Sequence, residues 1–349
     1  MKGAFVMLRN LKDLCNLCGV SGDESEIREY IIKKLRKIDG VSWKIDPLGN
    51  LIVQKQGKFR APYRLMISAH MDEVGLVVSH IFSDGTLLCA PVGGIDASAV
   101  IGRQVLVGKK KIPGVAGVKP VHQLTAEEKK TVPEFGSFVL NIGAKDKAQA
   151  EELAFPGTYA YFMPNFQKLG GGRICSKAID DRIGCVLLLS LLEKDATYDF
   201  TAAFLVQEEI GLRGARTAAY TVAPEFALVL EATTAADLAG AEEDAKVCSL
   251  GGGPVISFMD RSTIYDRELI DLAFRLGKQH QILCQTKSRI AGGNDSGAIH
   301  ISRGGVRTLV VSLPCRYLHT PASVADTADM IAMEQLLRFL PEEIMKLEV

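Results

Sequence analysis

The chain has 349 residues, 47% hydrophobic and 23% charged, enough to bury a large core as two domains or as one large domain with an insertion. Lys plus Arg and Asp plus Glu each number 41, so the net charge is zero and the basic footprint of a nucleic-acid binder is excluded. No apolar run reaches membrane-spanning length, and the apolar stretch within Met1 to Arg9 is too short for a secretory signal, so a soluble, cytoplasmic protein with no membrane partner is expected.

The eight cysteines are scattered, most of them within apolar runs, as reduced, buried thiols would be. Cys15-Asn16-Leu17-Cys18 has CxxC spacing, but no second pair exists to complete a zinc site, and it reads as one turn of an N-terminal helix. Ser25 to Ile38 carries apolar residues at helical spacing, with Ser21 or Asp23 as cap and Gly40 as stop. Tyr63 to Ala69 predicts a strand. From Val74 to Phe166 the pattern changes to short β-like runs at Gly75–Ile81, Gln104–Gly108, Val115–Val118, Phe138–Ile142 and Thr158–Met163, separated by turn signals such as Asp84-Gly85 and Gly93-Gly94. One helix, Lys145 to Ala154, interrupts them, and Lys119 to Pro133 is a polar loop.

This predicts a small β-rich domain, 74–166, inserted into a discontinuous domain formed by 1–73 and 167–349. In the second part, Arg182 to Leu192 predicts an apolar helix opening after Asp180-Asp181, acids well placed at a helix N-terminus. Phe200–Gln207, Phe226–Leu230 and Thr308–Leu313 have strand length, and Asp266–His280 and Met330–Leu347 read as helices, the latter interrupted at Pro341. Strands alternating with helices predict an α/β domain with a mainly parallel central sheet flanked by helices.

Several of these strands end in potential ligands. One ends in Ser68-Ala69-His70-Met71-Asp72-Glu73, another in Gln207-Glu208-Glu209, a third in Glu231, and Thr308–Leu313 leads to His319. Asp180-Asp181 lies at the mouth of a helix. Ligands of open α/β sheets bind at the carboxyl ends of the strands, so residues distant in sequence can converge on one rim. Two imidazoles and several carboxylates without a thiolate suit zinc, cobalt or manganese, and a bridging carboxylate suits a pair of ions. On an extended segment positions i and i+2 share a side, so Asp72 can accept the second ring N–H of His70. Glu208-Glu209 is costly in a partly buried place, because like charges raise each other's pKa. Adjacent strand residues also point to opposite faces, so both can reach one site only if the strand ends or bends there.

Ser68-Ala69-His70-Met71-Asp72-Glu73-Val74-Gly75, Lys177-Ala178-Ile179-Asp180-Asp181-Arg182, Gln207-Glu208-Glu209-Ile210-Gly211, Gly292-Gly293-Asn294-Asp295-Ser296-Gly297 and Arg316-Tyr317-Leu318-His319-Thr320-Pro321 resemble the motifs of metallopeptidase family 42, the TET or glutamyl aminopeptidases, some of them labelled endoglucanases. The resemblance covers essentially the whole chain, in order. It implies a dinuclear, zinc-peptidase-like fold with an inserted small β-barrel or PDZ-like domain. It implies that His70 and Glu231 hold one metal ion, that Glu209 and His319 hold the other, and that Asp180 bridges them. By the same resemblance Glu208 is the general base, Asp72 orients His70, and the cofactors are two divalent ions, with zinc or cobalt favoured over manganese. Short peptides are the implied substrates, and dimers formed through the insertion assemble into a tetrahedral dodecamer. Two positions depart from the pattern. Glu231 stands where the family often has Asp, and Gly293-Asn294-Asp295 stands where many members have Gly-Thr-Asp, in a loop resembling one that lines the substrate pocket.

Rival readings come from other classes. A dinuclear deacylase or carboxypeptidase needs a basic residue for a substrate carboxylate, and no motif supplies one. A glycosidase needs two carboxylates but neither His70 nor His319. A non-catalytic binding protein has no use for a complete ligand set.

Overall fold

The computed structural model describes residues 2–348, with the backbone alone at positions 2 and 244. Apolar side chains at helical spacing bury one face of α1 (Lys2–Cys15) through Leu11 and Leu14, and one face of α2 (Ser25–Leu35) through Ile27, Ile31 and Leu35. Strands β1 (Val41–Ile45) and β2 (Leu51–Lys55) form a hairpin whose turn is held by Asp46, which accepts from the backbone N–H of Leu48, Gly49 and Asn50. β3 (Leu65–His70) is buried at all six positions.

A closed six-stranded barrel follows: β4 (Gly75–Ile81), β5 (Leu87–Val92), β6 (Gln104–Val107), β7 (Ile112–Val118), β8 (Phe138–Asn141) and β9 (Tyr159–Phe162), in the order β4-β5-β8-β7-β6-β9. It has its own apolar cluster, including Leu76, Val78, Val105, Leu140 and Phe162. The helix expected at 145–154 is shorter, α4 (Lys147–Glu151), begun by Asp146 accepting from Gln149 N–H, and a second short helix, α3 (Ala97–Val100), precedes β6.

The chain then returns through β10 (Gln167–Lys168), β11 (Arg173–Ser176), α5 (Ile179–Leu192), β12 (Phe200–Leu205), α6 (Arg213–Val222), β13 (Phe226–Thr234), β14 (Val255–Ile256), α7 (Arg267–Gln279), α8 (Ser296–Ile299), β15 (Arg307–Arg316), β16 (Ser323–Asp326), α9 (Thr327–Leu337) and α10 (Leu340–Ile344). The ten-stranded sheet has the order β1-β2-β12-β3-β13-β15-β16-β11-β10, with β14 on β15. Only β12, β3, β13 and β15 run parallel to their neighbours in that series; the other pairings are antiparallel. The mainly parallel sheet of the sequence reading is therefore a mixed one. At its margins β1–β2, β10–β11 and β15–β16 are joined by connections too short for a crossover helix, and such strands pair antiparallel.

Helix α5 lies across the central strands and is buried nearly all round, as its apolar sequence requires. Helical backbone angles begin only after Asp181, so Asp180 and Asp181 precede the first regular turn. Pro341 occupies the first turn of α10 and separates it from α9. Cys15 ends α1 and Cys18 lies beyond it. All eight cysteines are unpaired, and burial pushes the Cys15 thiol up to about 12.

Candidate active site

The carboxyl ends of β3, β12 and β13, the turn before α5 and the β15–β16 connection meet at one rim. His70 is the last residue of β3 and is almost fully buried. Its backbone N–H donates to Asp181 Oδ2 at 3.3 Å, and its carbonyl accepts from Cys185 Sγ at 3.1 Å. The other Asp181 oxygen accepts from Gly184 N–H, so both oxygens of this acid are already engaged.

Strand β12 stops at Leu205, and Gln207 turns in the left-handed region at φ +56°. That turn lets Glu208 and Glu209 face the same site. Asp72, fully buried, fastens the turn: its Oδ1 accepts from Glu208 N–H at 3.0 Å and its Oδ2 from Glu209 N–H at 3.1 Å and Ser21 Oγ at 2.6 Å. Asp72 Oδ1 also lies 3.3 Å from His70 Nδ1, without the alignment of a hydrogen bond. The expected His70–Asp72 pairing is present as proximity, and Asp72 has an additional role as the anchor of the Glu-Glu backbone.

Two imidazoles share one carboxylate. His70 Nε2 lies 3.2 Å from Asp180 Oδ1 and 3.3 Å from Glu231 Oε1. His319 Nε2 lies 3.5 Å from Asp180 Oδ2 and 3.2 Å from Glu209 Oε2. His70, Asp180 and Glu209 each offer a ligand atom within 4.8 Å of one another, and so do His70, Asp181 and Glu231. Glu231 is not at a strand end as expected, because β13 continues beside β15 to Thr234. The structure thus brings together all seven residues singled out in the sequence: His70, Asp72, Asp180, Glu208, Glu209, Glu231 and His319. The remaining histidines stand elsewhere, His280 stacked on Phe339 and His300 bonded to the Ser296 carbonyl.

Burial, reinforced by the Asp180 charge, pushes Glu209 up to about 8; burial and the same Asp180 push Glu231 up to about 7, against the pull of His70. Burial also raises Glu208 well above the usual carboxylate range, with Glu231, Asp295 and Glu209 adding to it. Hydrogen bonding to Asp180 raises His319 to about 9. A cluster of acids this dense, with Glu231 Oε2 and Asp295 Oδ1 buried and unpartnered, lacks positive charge. Nitrogen and carboxylate donors with no thiolate fit hard or borderline divalent ions, so the residues present suit a metal centre.

Three contributions to the site could not be assigned from the sequence. His319 Nδ1 lies 2.8 Å from the carbonyl oxygen of Gly94, in the barrel, and a Cβ at Gly94 would stand 3.3 Å from that nitrogen. Ser21 bonds Asp72 from the far end of the chain. Below the site Glu73 is buried between Lys177 Nζ at 2.8 Å and Arg182 Nη2 at 3.1 Å, tying the segment after β3 to the one before α5. In the sequence the Gly93-Gly94 pair carried a signal only as a turn, Ser21 only as a candidate helix cap, and Glu73, Lys177 and Arg182 only as members of motifs. Beside Asp180, Glu209 and His319 a small cleft opens, closed on the barrel side by Val74 and Phe162.

A profile described as M42 glutamyl aminopeptidase matches residues 49–336. The chain belongs to this peptidase family. A relative, the lysyl aminopeptidase of Pyrococcus furiosus, is 34% identical over 96% of each chain. The aminopeptidase APDkam598 from Desulfurococcus kamchatkensis superposes with a TM-score of 0.92 at 30% identity, over 99% of this chain and 98% of that one. The TET1 peptidase of Pyrococcus horikoshii, described as assembling into a tetrahedron or a large octahedral shell, gives 0.85 at 33% identity, over 96% of this chain and 98% of that one. M42 membership makes the protein an aminopeptidase-family hydrolase and leaves the deacylase, glycosidase and scaffold readings unfavoured.

Proposed function

We propose that this protein is a dinuclear metal aminopeptidase that removes the N-terminal residue from short peptides. One observation carries the reading: the two oxygens of Asp180 face two different imidazole–carboxylate pairs, His70 with Glu231 and His319 with Glu209. His70 and Glu231 would hold one divalent ion, His319 and Glu209 the other, and Asp180 would span both, with zinc or cobalt fitting the donors best and manganese also compatible. Bound there, the ions would supply Lewis acidity to the scissile carbonyl and acidity to the attacking water.

Glu208 is left free of this set and sits half-buried beside it. It takes the proton of the attacking water and delivers it to the leaving amine. Asp72 holds Glu208 and Glu209 by their backbones, so base and ligand keep a fixed separation. The barrel contributes the Gly94 carbonyl, which orients His319.

The barrel region, 74–166, is proposed as the dimerisation element of a dodecamer, in keeping with the shell described for the Pyrococcus horikoshii neighbour. Among the described residues no helix is long and apolar enough to cross a membrane, and eight unpaired cysteines fit a reducing, cytoplasmic setting. Aminoacyl amides and their N-acetylated forms, assayed on protein refilled with zinc, cobalt or manganese, test the activity. Turnover of free-amine substrates alone supports it, and equal turnover of the acetylated forms would overturn it in favour of a deacylase. Sedimentation tests the assembly.

A further inference from the structure

Asp180, the acid that faces both imidazoles, stands on irregular backbone. Ala178 is left-handed at φ +55°, and the angles of Asp180 and Asp181 are not helical, so the first regular turn of α5 does not reach Asp180. A side chain on such backbone keeps its place through tethers from neighbouring segments.

Lys177, three residues before Asp180, sends out two tethers in different directions. Its Nζ donates to both oxygens of Glu73 at 2.8 Å, and Glu73 follows His70 by three residues. Its backbone N–H donates to Asn165 Oδ1 at 2.9 Å, in the connection that leaves the barrel. Asn165 Nδ2 donates in turn to the Pro321 carbonyl at 2.6 Å, two residues beyond His319. Both partners fix the orientation of this amide, since an N–H only donates and a carbonyl only accepts. Beyond Asp180 the chain returns to the same acid: Arg182 Nη2 donates to Glu73 Oε1 at 3.1 Å, as does Gly19 N–H. Glu73 thus clamps both flanks of the Asp180 turn to the segment that carries His70. Glu73 and Lys177 also line the small cleft beside Asp180, Glu209 and His319.

Stability alone accounts poorly for the Glu73–Lys177–Arg182 triad. All three side chains are almost fully buried, and among the described residues Arg182 Nε and Nη1 have no hydrogen-bond partner. Desolvating such groups offsets most of what their pairing contributes, and fixing one register is the best-attested use of buried charge. The His319 loop has a similar need. Tyr317 and His319 are left-handed at φ +57° and +56°, and the loop's own bonds, from the Thr320 and Ser323 hydroxyls to the Tyr317 carbonyl, do not reach the Asp180 turn.

We infer that Lys177 is the hub that sets Asp180 against both imidazoles: its side chain acts through Glu73 toward His70, and its backbone N–H acts through Asn165 toward His319. Glu73 and Asn165 are positioning residues, each serving a different one of the two ion sites. This assignment rests on the dinuclear reading.

The test is zinc titration of the metal-stripped full chain against a chromogenic chelator, with the melting temperature followed in parallel. The wild type should take up two ions per chain. Asn165→Ala should weaken one ion by about tenfold or more and spare the other, and Glu73→Gln should do the reverse. Backgrounds that keep a single ion identify which is which. In His319→Ala, adding Asn165→Ala should change nothing further, whereas adding Glu73→Gln should weaken the remaining ion. In His70→Ala the pattern should invert. Should Glu73→Gln fail to fold, Lys177→Met, which leaves Glu73 paired with Arg182, takes its place with the same expected result. Two-ion uptake unchanged in both variants, with only the melting temperature lowered, would reduce them to packing roles and overturn the assignment. Equal weakening of both ions by either variant would overturn it too, because the tethers would not be separate. A wild type that takes up fewer than two ions would remove the dinuclear reading, and this assignment with it.

Discussion

His319 Nδ1 lies 2.8 Å from the carbonyl oxygen of Gly94, so an imidazole on the β15–β16 connection is held by a loop of the barrel. A carbonyl only accepts, which places the ring proton on Nδ1 and leaves the Nε2 lone pair toward Asp180 and Glu209. Neighbouring Gly93 has φ +83°, and a Cβ there would meet Val74 Cγ1 at 2.9 Å and Glu209 Cβ at 3.2 Å. Gly93→Ala is therefore expected to displace the loop and Glu209 together. Metal affinity at the His319–Glu209 side should drop by about tenfold or more, leaving closer to one ion than two per chain after dialysis, as measured by elemental analysis. Full retention of both ions would show that the loop does not orient the ligand.

Glu208→Gln should keep the metal complement of the wild type and lose about 10²–10⁴-fold in kcat, because the amide has the shape of the base without its proton affinity. Parallel metal analysis and steady-state kinetics check it. Substantial remaining turnover would assign proton transfer to another group.

Asp72 has two tasks, and its removal should show both. Asp72→Ala leaves the N–H groups of Glu208 and Glu209 and the Ser21 hydroxyl without their acceptor, at about 1–3 kcal/mol for each group that stays buried and unpaired. Both melting temperature and metal affinity should fall. Ser21→Ala removes one donor alone and should cost far less on both measures.

Metal-free and metal-loaded protein should respond to pH in opposite directions between pH 6 and 9. Without ions, Glu231 and Glu209 are raised to about 7 and 8, His319 to about 9, and His70 also upward. All four bind more protons folded than unfolded in this window, so the metal-free fold loses stability as pH rises. Asp72 and Asp180 are shifted downward, and their contribution is lost only in acid, outside the window. Metal binding displaces the protons on Glu209 and Glu231, so metal affinity rises with pH. Melting curves with and without a chelator should diverge from pH 6 to 9; parallel curves would mean that these groups do not bind the ions.

Helix α5 was legible because its apolar residues run all round it, and strands β3, β12 and β15 because they are mostly apolar and of strand length. Helix α6 was not: it buries only Gly214, Ala215, Ala218 and Ala219, too small to raise an apolar signal. Strands β1, β11 and β16 lie in the antiparallel margins, where short, half-polar sequences pair without a recognisable run. The ligands were legible because their side chains carry the chemistry. The Gly94 carbonyl was not, since every residue type has one.

The five residues that face one another around Asp180 are drawn from positions 70 to 319, and the last of them is oriented from within the barrel. During synthesis from the N-terminus, every fragment that stops short of His319 lacks part of the set, however much of the sheet it has formed. On the proposed assignment of these residues, peptide-cleaving capacity is withheld until the barrel and the late strands have both folded and met. A growing chain is exposed to its own kind of activity only from molecules already complete.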